Sequence, residues 1–245
     1  MDGGRASVRR LTPVGGGGFL VWDFDGTLAT RPGNWTAALC ELVDRERPDL
    51  GVTLDSIRPH LQSGFRWHTP EIVRSPCSED EWWDELFPVF AGALRAGAGL
   101  DEREALRLAR NVRACYTDPK SWRVFEDVPA ALMQLRDRGW RHILLSNYIP
   151  ELARIVEALG LSEFFVALYT SGQTGAEKPH RQAFEAVFAA YPDARKGWMI
   201  GDSWHADVQG ALGVGMRAIL VRAQHPEATV QCDTVADVAP ILERS

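Results

Sequence analysis

The apolar and polar positions divide this chain into stretches of different period. Phe19-Leu20-Val21-Trp22 is an unbroken apolar run that stops at Asp23-Phe24-Asp25-Gly26, as a strand buried on both faces does where it leaves its sheet. From about Asn34 to Tyr116 apolar residues recur every three or four positions. That spacing predicts helices over Trp35 to Arg47, Leu54 to Gln62, Glu79 to Gly97 and Asp101 to Tyr116, with no strand between them. Asp101 with Glu104 three residues on is a capping-box variant, and Asp118-Pro119 closes the region with a turn. From Val124 onward strand and helix alternate. A helix from about Pro129 to Arg138 ends at Gly139, a strand runs from His142 to Leu145, and Pro150 opens the next helix. Strands then follow at Ala167 to Thr170, Trp198 to Ile200 and Arg217 to Val221, with a helix at His180 to Ala190. Such alternation predicts an α/β fold, a parallel sheet covered on both faces, interrupted after its first strand by a helical insertion.

Composition narrows the partners. At 245 residues and 45% hydrophobic, the chain can bury one large domain or a core with an insertion. A net charge of -6 with scattered Lys and Arg predicts no nucleic-acid partner. No apolar stretch is long enough to span a membrane, so no membrane partner is expected either. Cys40, Cys77, Cys115 and Cys232 lie far apart without a CxxC pair. They signal neither a zinc site nor a disulfide framework, and a reducing cytoplasmic setting is expected. Residues 1–18 carry Arg5, Arg9 and Arg10 but lack the apolar run of a signal peptide, and read as a flexible leader. Gly15 to Gly18 precede the strand and no Gly-Lys-Ser/Thr follows, which argues against a phosphate loop. Monomer and homodimer both remain open.

The chemistry lies at the strand ends, where open α/β sheets bind ligands. Strand period puts Asp23 and Asp25 on the same side of the backbone, and Gly26 lets the chain turn away. The second strand ends in Ser146-Asn147, the loop after the third holds Glu177-Lys178-Pro179, and the fourth ends in Gly201-Asp202 with Asp207 beyond. Each has a bland alternative. Ser146 and Asn147 could cap the helix near Pro150, Lys178 could be a surface lysine, and Asp202 and Asp207 a turn acid and a helix N-cap. Asp207 could also do both jobs.

Together and in this order, DFDGTL, LLSN, EKPH and GDSWHADVQGA resemble the four motifs of the haloacid dehalogenase superfamily, over Phe19 to Val221. The resemblance implies a Rossmann-like sheet with the first strand central. It makes 19–30 and 121–245 a catalytic core and 31–120 an α-helical cap domain. It also implies a Mg²⁺-dependent phosphatase that acts on a small phosphorylated metabolite through an aspartyl-phosphate. Asp23 is then the nucleophile, and Asp25 the acid that protonates the leaving oxygen and later the base for water. Gly26, Thr27, Ser146, Asn147 and Lys178 would hold the phosphoryl group. Mg²⁺ would take the Asp23 carboxylate, the Asp25 backbone carbonyl and Asp202, with Asp207 holding a metal-bound water. Countercharge is a physical need, because two like charges about 4 Å apart repel by roughly 4 kcal/mol at an effective dielectric near 20. The rivals are a phosphosugar mutase using the same aspartates and a non-catalytic binding or regulatory protein on this fold. A dehalogenase needs no proton for its halide, so Asp25 argues against that chemistry.

Substrate identity should lie in the insertion. Arg31, Asn34, Trp35 and the run Phe65-Arg66-Trp67-His68-Thr69 are candidates to face substrate, whereas Trp82, Trp83, Phe87 and Phe90 read as its core. Hinges are expected near Thr30 to Gly33 and Asp118 to Trp122. His205 has no assigned role. His60, His142, His180 and His225 lack metal-ligand spacing and read as surface or internally satisfied histidines.

Overall fold

A computed structural model describes residues 17–244, so the leader expected over 1–16 lies outside the described residues. Gly18, counted with that leader in the sequence, already belongs to the sheet, since its carbonyl accepts the Arg141 N–H at 3.1 Å. Strand β1 (Phe19–Trp22) is buried at all four positions. Its alternate residues feed two cores: Leu20 and Trp22 face one cluster, Phe19 and Val21 the other.

After β1 the chain makes a two-residue strand β2 (Ala29–Thr30) and enters helices α1 (Asn34–Glu46), α2 (Leu54–Ile57), α3 (Glu79–Ala98), α4 (Glu102–Ala109) and α5 (Val112–Tyr116). Full capping boxes start α2 at Thr53 and Ser56 and α3 at Ser78 and Glu81. Asp101 caps α4 through the Glu104 N–H at 2.9 Å. The helix expected over Asp101 to Tyr116 is broken at Arg110-Asn111. The second helix predicted also shortens, giving way to a 3₁₀ turn at Arg58–Leu61 with Pro59 in its first turn. Strand β3 (Arg123–Val124) then pairs antiparallel with β2. This small ribbon was not legible in the sequence, and it ties together the two points where the chain leaves and rejoins the sheet.

The remainder is α6 (Val128–Asp137), β4 (Arg141–Ser146), α7 (Leu152–Ala158), β5 (Phe165–Thr170), α8 (Ser171–Thr174), α9 (Arg181–Ala190) and β6 (Trp198–Gly201). Then come α10 (Gly210–Gly213), β7 (Arg217–Val221), β8 (Gln231–Cys232) and α11 (Val238–Glu243). Pro150 stands before α7 rather than in its first turn. The six strands are parallel in the order β5-β4-β1-β6-β7-β8. A Rossmann-like α/β sheet with β1 in its interior is what the motifs implied, with β8 as an addition. The chain builds to one side of β1 and then to the other, so β1 sits at the switch point where such sheets bind ligands. No helix among the described residues is long and apolar enough to cross a membrane.

Candidate active site

Sheet register brings the motif residues together. Trp22 is level with Leu144 on β4 and with Ile200 on β6, so Asp23, Ser146 and Asp202 all emerge at one end. Asp23 Oδ1 accepts from Ser146 Oγ at 2.9 Å and from Lys178 Nζ at 2.8 Å. Its Oδ2 has no hydrogen bond among the described residues. Lys178 reaches the site from the loop after α8 and also donates to Asp207 Oδ1 at 2.6 Å and the Leu145 carbonyl at 2.7 Å. Burial works to lower its pKa. The charges of Asp207 and Asp23 outweigh burial and hold it above the ordinary lysine value, so the ammonium stays charged.

Asp207 lies in the wide helical turn Trp204–Gln209, one element type that often marks functional sites. Its Oδ2 accepts the Ser203 N–H at 3.0 Å while Ser203 Oγ accepts the Ala206 N–H at 3.0 Å. Ser203, not Asp207, is therefore the N-cap, and Asp207 completes the cap while neutralising Lys178. A Cβ on Gly201 would lie 2.1 Å from Asp207 Oδ2, which explains a glycine there. Asp202 Oδ1 accepts from Thr27 Oγ1 at 3.2 Å.

The resemblance implies that Gly26 and Thr27 hold the phosphoryl group; in the structure both lie against Asp202. Gly26 has φ +83, and a Cβ there would meet Asp202 Oδ2 at 2.3 Å. The Gly26 and Thr27 N–H groups are used by the Ala29 and Phe24 carbonyls, and neither residue lines the cavity. Asn147 does line it, but its side chain exchanges two hydrogen bonds with the Lys178 backbone, at 2.7 and 2.8 Å. It fixes the lysine loop and caps no helix.

Among the described residues, Asp23, Asp202 and Asp207 each offer a carboxylate oxygen within 4.8 Å of the others. Burial, then the Asp23 and Asp207 charges, push Asp202 up to about 7. Asp207 is pushed up to about 6, mainly by burial and against the pull of Lys178. Asp25 rises to about 7, through burial first and the Asp23 charge second, opposed by hydrogen bonds from Asn34 and the Gly26 N–H. Negative charge at the site thus exceeds what one lysine balances. An all-oxygen, anionic donor set suits a hard divalent cation such as Mg²⁺.

The carboxylates open into a cavity of about 470 Å³. Trp35, Phe65 and Trp67 wall it on the helical side, and Arg58, Gln62, His68 and His205 also line it. Of the candidates to face substrate, Asn34, Trp35, Phe65, Trp67 and His68 line this cavity. Arg31, Arg66 and Thr69 do not. Arg31 is 2% exposed and pairs with Glu41 at 2.7 Å; Arg66 is 3% exposed and pairs with Glu85 at 2.8 Å. Both cations brace the helices. Trp82, Trp83 and Phe90 are buried as expected, with Phe87 partly buried. His180 caps α9, His225 stacks on Trp204, and His142 accepts from Trp22. Arg58, Gln62 and Tyr148 went unrecognised, and Tyr148 alone carried a signal, standing two residues beyond Ser146.

A model of the haloacid dehalogenase-like hydrolase family matches residues 19–215. The chain is a haloacid dehalogenase-like hydrolase. Over 147 residues this hydrolase is 33% identical to haloacid dehalogenase-like hydrolase domain-containing protein 3 of Bos taurus, covering 60% of this chain and 57% of that one. It is 34% identical over 148 residues to a phosphoserine phosphatase of Thermus thermophilus, covering 58% of this chain and 57% of that protein. The chain thus spans less than two thirds of the length of these curated relatives. Among solved structures, the magnesium-bound HAD-hydrolase YfnB of Bacillus subtilis superposes with a TM-score of 0.73 at 20% identity, over 92% of this chain and 98% of that one. That likeness concerns the fold.

Proposed function

We propose that this hydrolase cleaves phosphate monoesters of small metabolites, with Mg²⁺ as cofactor and Asp23 as the group that takes the phosphoryl. The observation that carries this reading is the asymmetry of two carboxylates two residues apart. Asp23 is anchored at Oδ1 by Ser146 and Lys178, with Oδ2 left for attack. Asp25 is pushed up to about 7 and can hold or release a proton near neutrality. A relative named as a phosphoserine phosphatase is consistent with this chemistry.

Asp23, Asp202 and Asp207 would hold the metal, directly or through water. Mg²⁺ bound there would supply positive charge opposite the phosphoryl oxygens and offset their repulsion by Asp23. Asp23 Oδ2 attacks phosphorus, the ester P–O bond breaks, and Asp25 gives its proton to the departing oxygen. The products are an alcohol and an acyl phosphate on Asp23. Asp25, now ionised, takes a proton from a water that attacks the same phosphorus. Inorganic phosphate leaves and the Asp23 carboxylate is restored. Lys178 remains charged throughout and balances Asp23 and Asp207. Residues 31–120 act as a cap whose aromatic wall limits the size of the leaving group and keeps out bulk water. The β2–β3 ribbon marks its two connections to the core.

The test is phosphate release from a panel of phosphorylated metabolites by purified protein with Mg²⁺. The reading expects release from at least one ester, its loss on chelation, and less than about 1% of it in Asp23→Asn. An isomeric phosphosugar as product would make the protein a mutase, and a blank panel would remove the phosphatase reading.

A further inference from the structure

Asp25, Asn34, Tyr116 and Tyr148 form a chain of hydrogen bonds whose donors run one way. Asn34 Nδ2 donates to Asp25 Oδ2 at 2.8 Å, and the Tyr116 hydroxyl donates to Asn34 Oδ1 at 2.6 Å. The Tyr116 and Tyr148 hydroxyls also meet. A phenol has one proton, and Tyr116 has given its own to Asn34, so Tyr148 is the donor between them. Both tyrosines are buried, and burial raises both far above the ordinary tyrosine range, so each stays a protonated donor. The Asn34 amide is thereby oriented from both ends.

The backbone is shaped to put it there. Asn34 has φ +47 directly after Gly33 at φ +72, a region that L side chains rarely adopt. Arg31 Nη1 clamps the Asn34 carbonyl at 2.9 Å, and the Asn34 N–H returns to the Arg31 carbonyl at 2.9 Å. The same guanidinium lies 5.5 Å from the Tyr116 ring, which also stacks on Trp35 at 3.4 Å with the planes 4° apart. Strain held in place by its surroundings is an observation from which function can be inferred.

We propose that Asn34, Tyr116 and Tyr148 are positioning residues that aim the Asp25 carboxylate at the leaving-group oxygen. The inference rests on the phosphatase reading above and adds what makes its acid effective. Asp25 stands next to the like charge of Asp23, and Asn34 is the one side chain that hydrogen-bonds it among the described residues. Without that amide, repulsion favours rotamers that turn the carboxyl away from the departing oxygen, and a general acid acts only within hydrogen-bond reach. The relay joins α1 and α5 of the helical region to the loop after β4, so the acid is aimed by contacts across both parts of the fold.

The test is a graded series, Tyr148→Phe, Tyr116→Phe and Asn34→Ala, assayed on two esters. Glycerol phosphate needs its leaving oxygen protonated; p-nitrophenyl phosphate does not. On glycerol phosphate, kcat should fall roughly threefold, tenfold and a hundredfold along the series with KM unchanged, and by clearly smaller factors on p-nitrophenyl phosphate. Equal losses on the two esters overturn the proposal, because loosened packing would lower both alike. Asn34→Gly suits the left-handed backbone while removing the amide. It should remain folded, with the native circular dichroism spectrum, and still lose glycerol phosphate turnover; full turnover in that variant overturns the proposal. A crystal structure of Tyr116→Phe reads the relay without turnover: the Asn34 amide and Asp25 carboxyl should leave their wild-type rotamers, and unchanged rotamers overturn it. If wild type releases phosphate from no ester, the phosphatase reading falls, and this structural comparison alone decides the positioning role.

Discussion

His142 offers a test of the strand pairing that carries Asp23. It lies on β4, 1% exposed, and its Nδ1 accepts the Trp22 indole N–H at 2.9 Å, tying β4 to β1 one residue before Asp23. Burial pushes the imidazole down from 6.5 to about 4. Between those values the folded chain holds it neutral while the unfolded chain protonates it. The unfolded state binds more protons there, so the His142 contribution is fully present above pH 6.5 and is lost as pH falls toward 4. At about 1.4 kcal/mol per pH unit, that interval is worth about 3 kcal/mol, a large part of a typical domain stability of about 5–15 kcal/mol.

Four carboxyls, Asp207 and Glu177 buried and Asp25 and Asp202 half-buried, work in the opposite direction. Asp25 and Asp202 are raised to about 7 and Asp207 and Glu177 to about 6, burial being the first cause in each case. Their folded forms hold protons more tightly, so they add stability as pH falls through the same window. The wild-type profile alone is therefore a sum of opposed contributions. His142→Gln isolates one of them, since its amide oxygen can still accept from Trp22 and does not titrate. Urea unfolding of both proteins by tryptophan fluorescence, with chelator, at pH 7, 6, 5 and 4 gives the difference directly. Wild type minus His142→Gln should be greatest at pH 7 and shrink by about 3 kcal/mol by pH 4. A difference that stays constant over this range would refute a neutral buried imidazole, and one that grows in acid would mean a charged imidazole is stabilised.

Three shorter expectations concern the site. Gly26→Ala forces a Cβ onto Asp202 Oδ2 from a backbone at φ +83; it should cost about 1–3 kcal/mol and weaken Mg²⁺ binding by calorimetry, and unchanged binding would detach Asp202 from the metal. Lys178→Met leaves Asp23 and Asp207 buried without their cation, so metal-free stability should drop by about 3–5 kcal/mol, with part of the loss restored by Mg²⁺; an unchanged melting temperature would contradict the charge balance. Ca²⁺ accepts both oxygens of one carboxylate and should occupy Asp23 Oδ2, so it should inhibit the Mg²⁺-activated protein, and full activity with Ca²⁺ alone would separate the ligand and nucleophile roles of Asp23.

The sheet was legible because its evidence is local. Buried parallel strands read as apolar runs, and Phe19–Trp22, Arg141–Ser146 and Trp198–Gly201 place Asp23, Ser146 and Asp202 at the same end of the sheet, the first and last just beyond their strands. The two-residue strands β2, β3 and β8 have no period to detect, and pairing alone defines them. The break at Arg110-Asn111 was hidden for a related reason: neither residue is a strong helix breaker, and packing decides where α4 yields to α5.

The site divides along the same line. Asp23, Ser146, Lys178, Asp202 and Asp207 were found because strand ends converge whatever the side chains do next. In the helical region, nearness to Asp23 in sequence gives no direction. Arg31 and Arg66 turn inward to Glu41 and Glu85, while Asn34, three residues beyond Arg31, turns back to Asp25. That reversal depends on two consecutive left-handed residues, Gly33 and Asn34, and on Tyr116, 82 positions away in sequence. Asn34 is at once the first residue of α1 and the donor to Asp25. Any shift of α1 against β1 therefore moves Asp25 as well as Trp35 in the cavity wall. On the proposed mechanism, leaving-group selection and protonation would be coupled through one helix end, so a substitution in the connection 31–33 should alter both together even though none of these three residues lines the cavity.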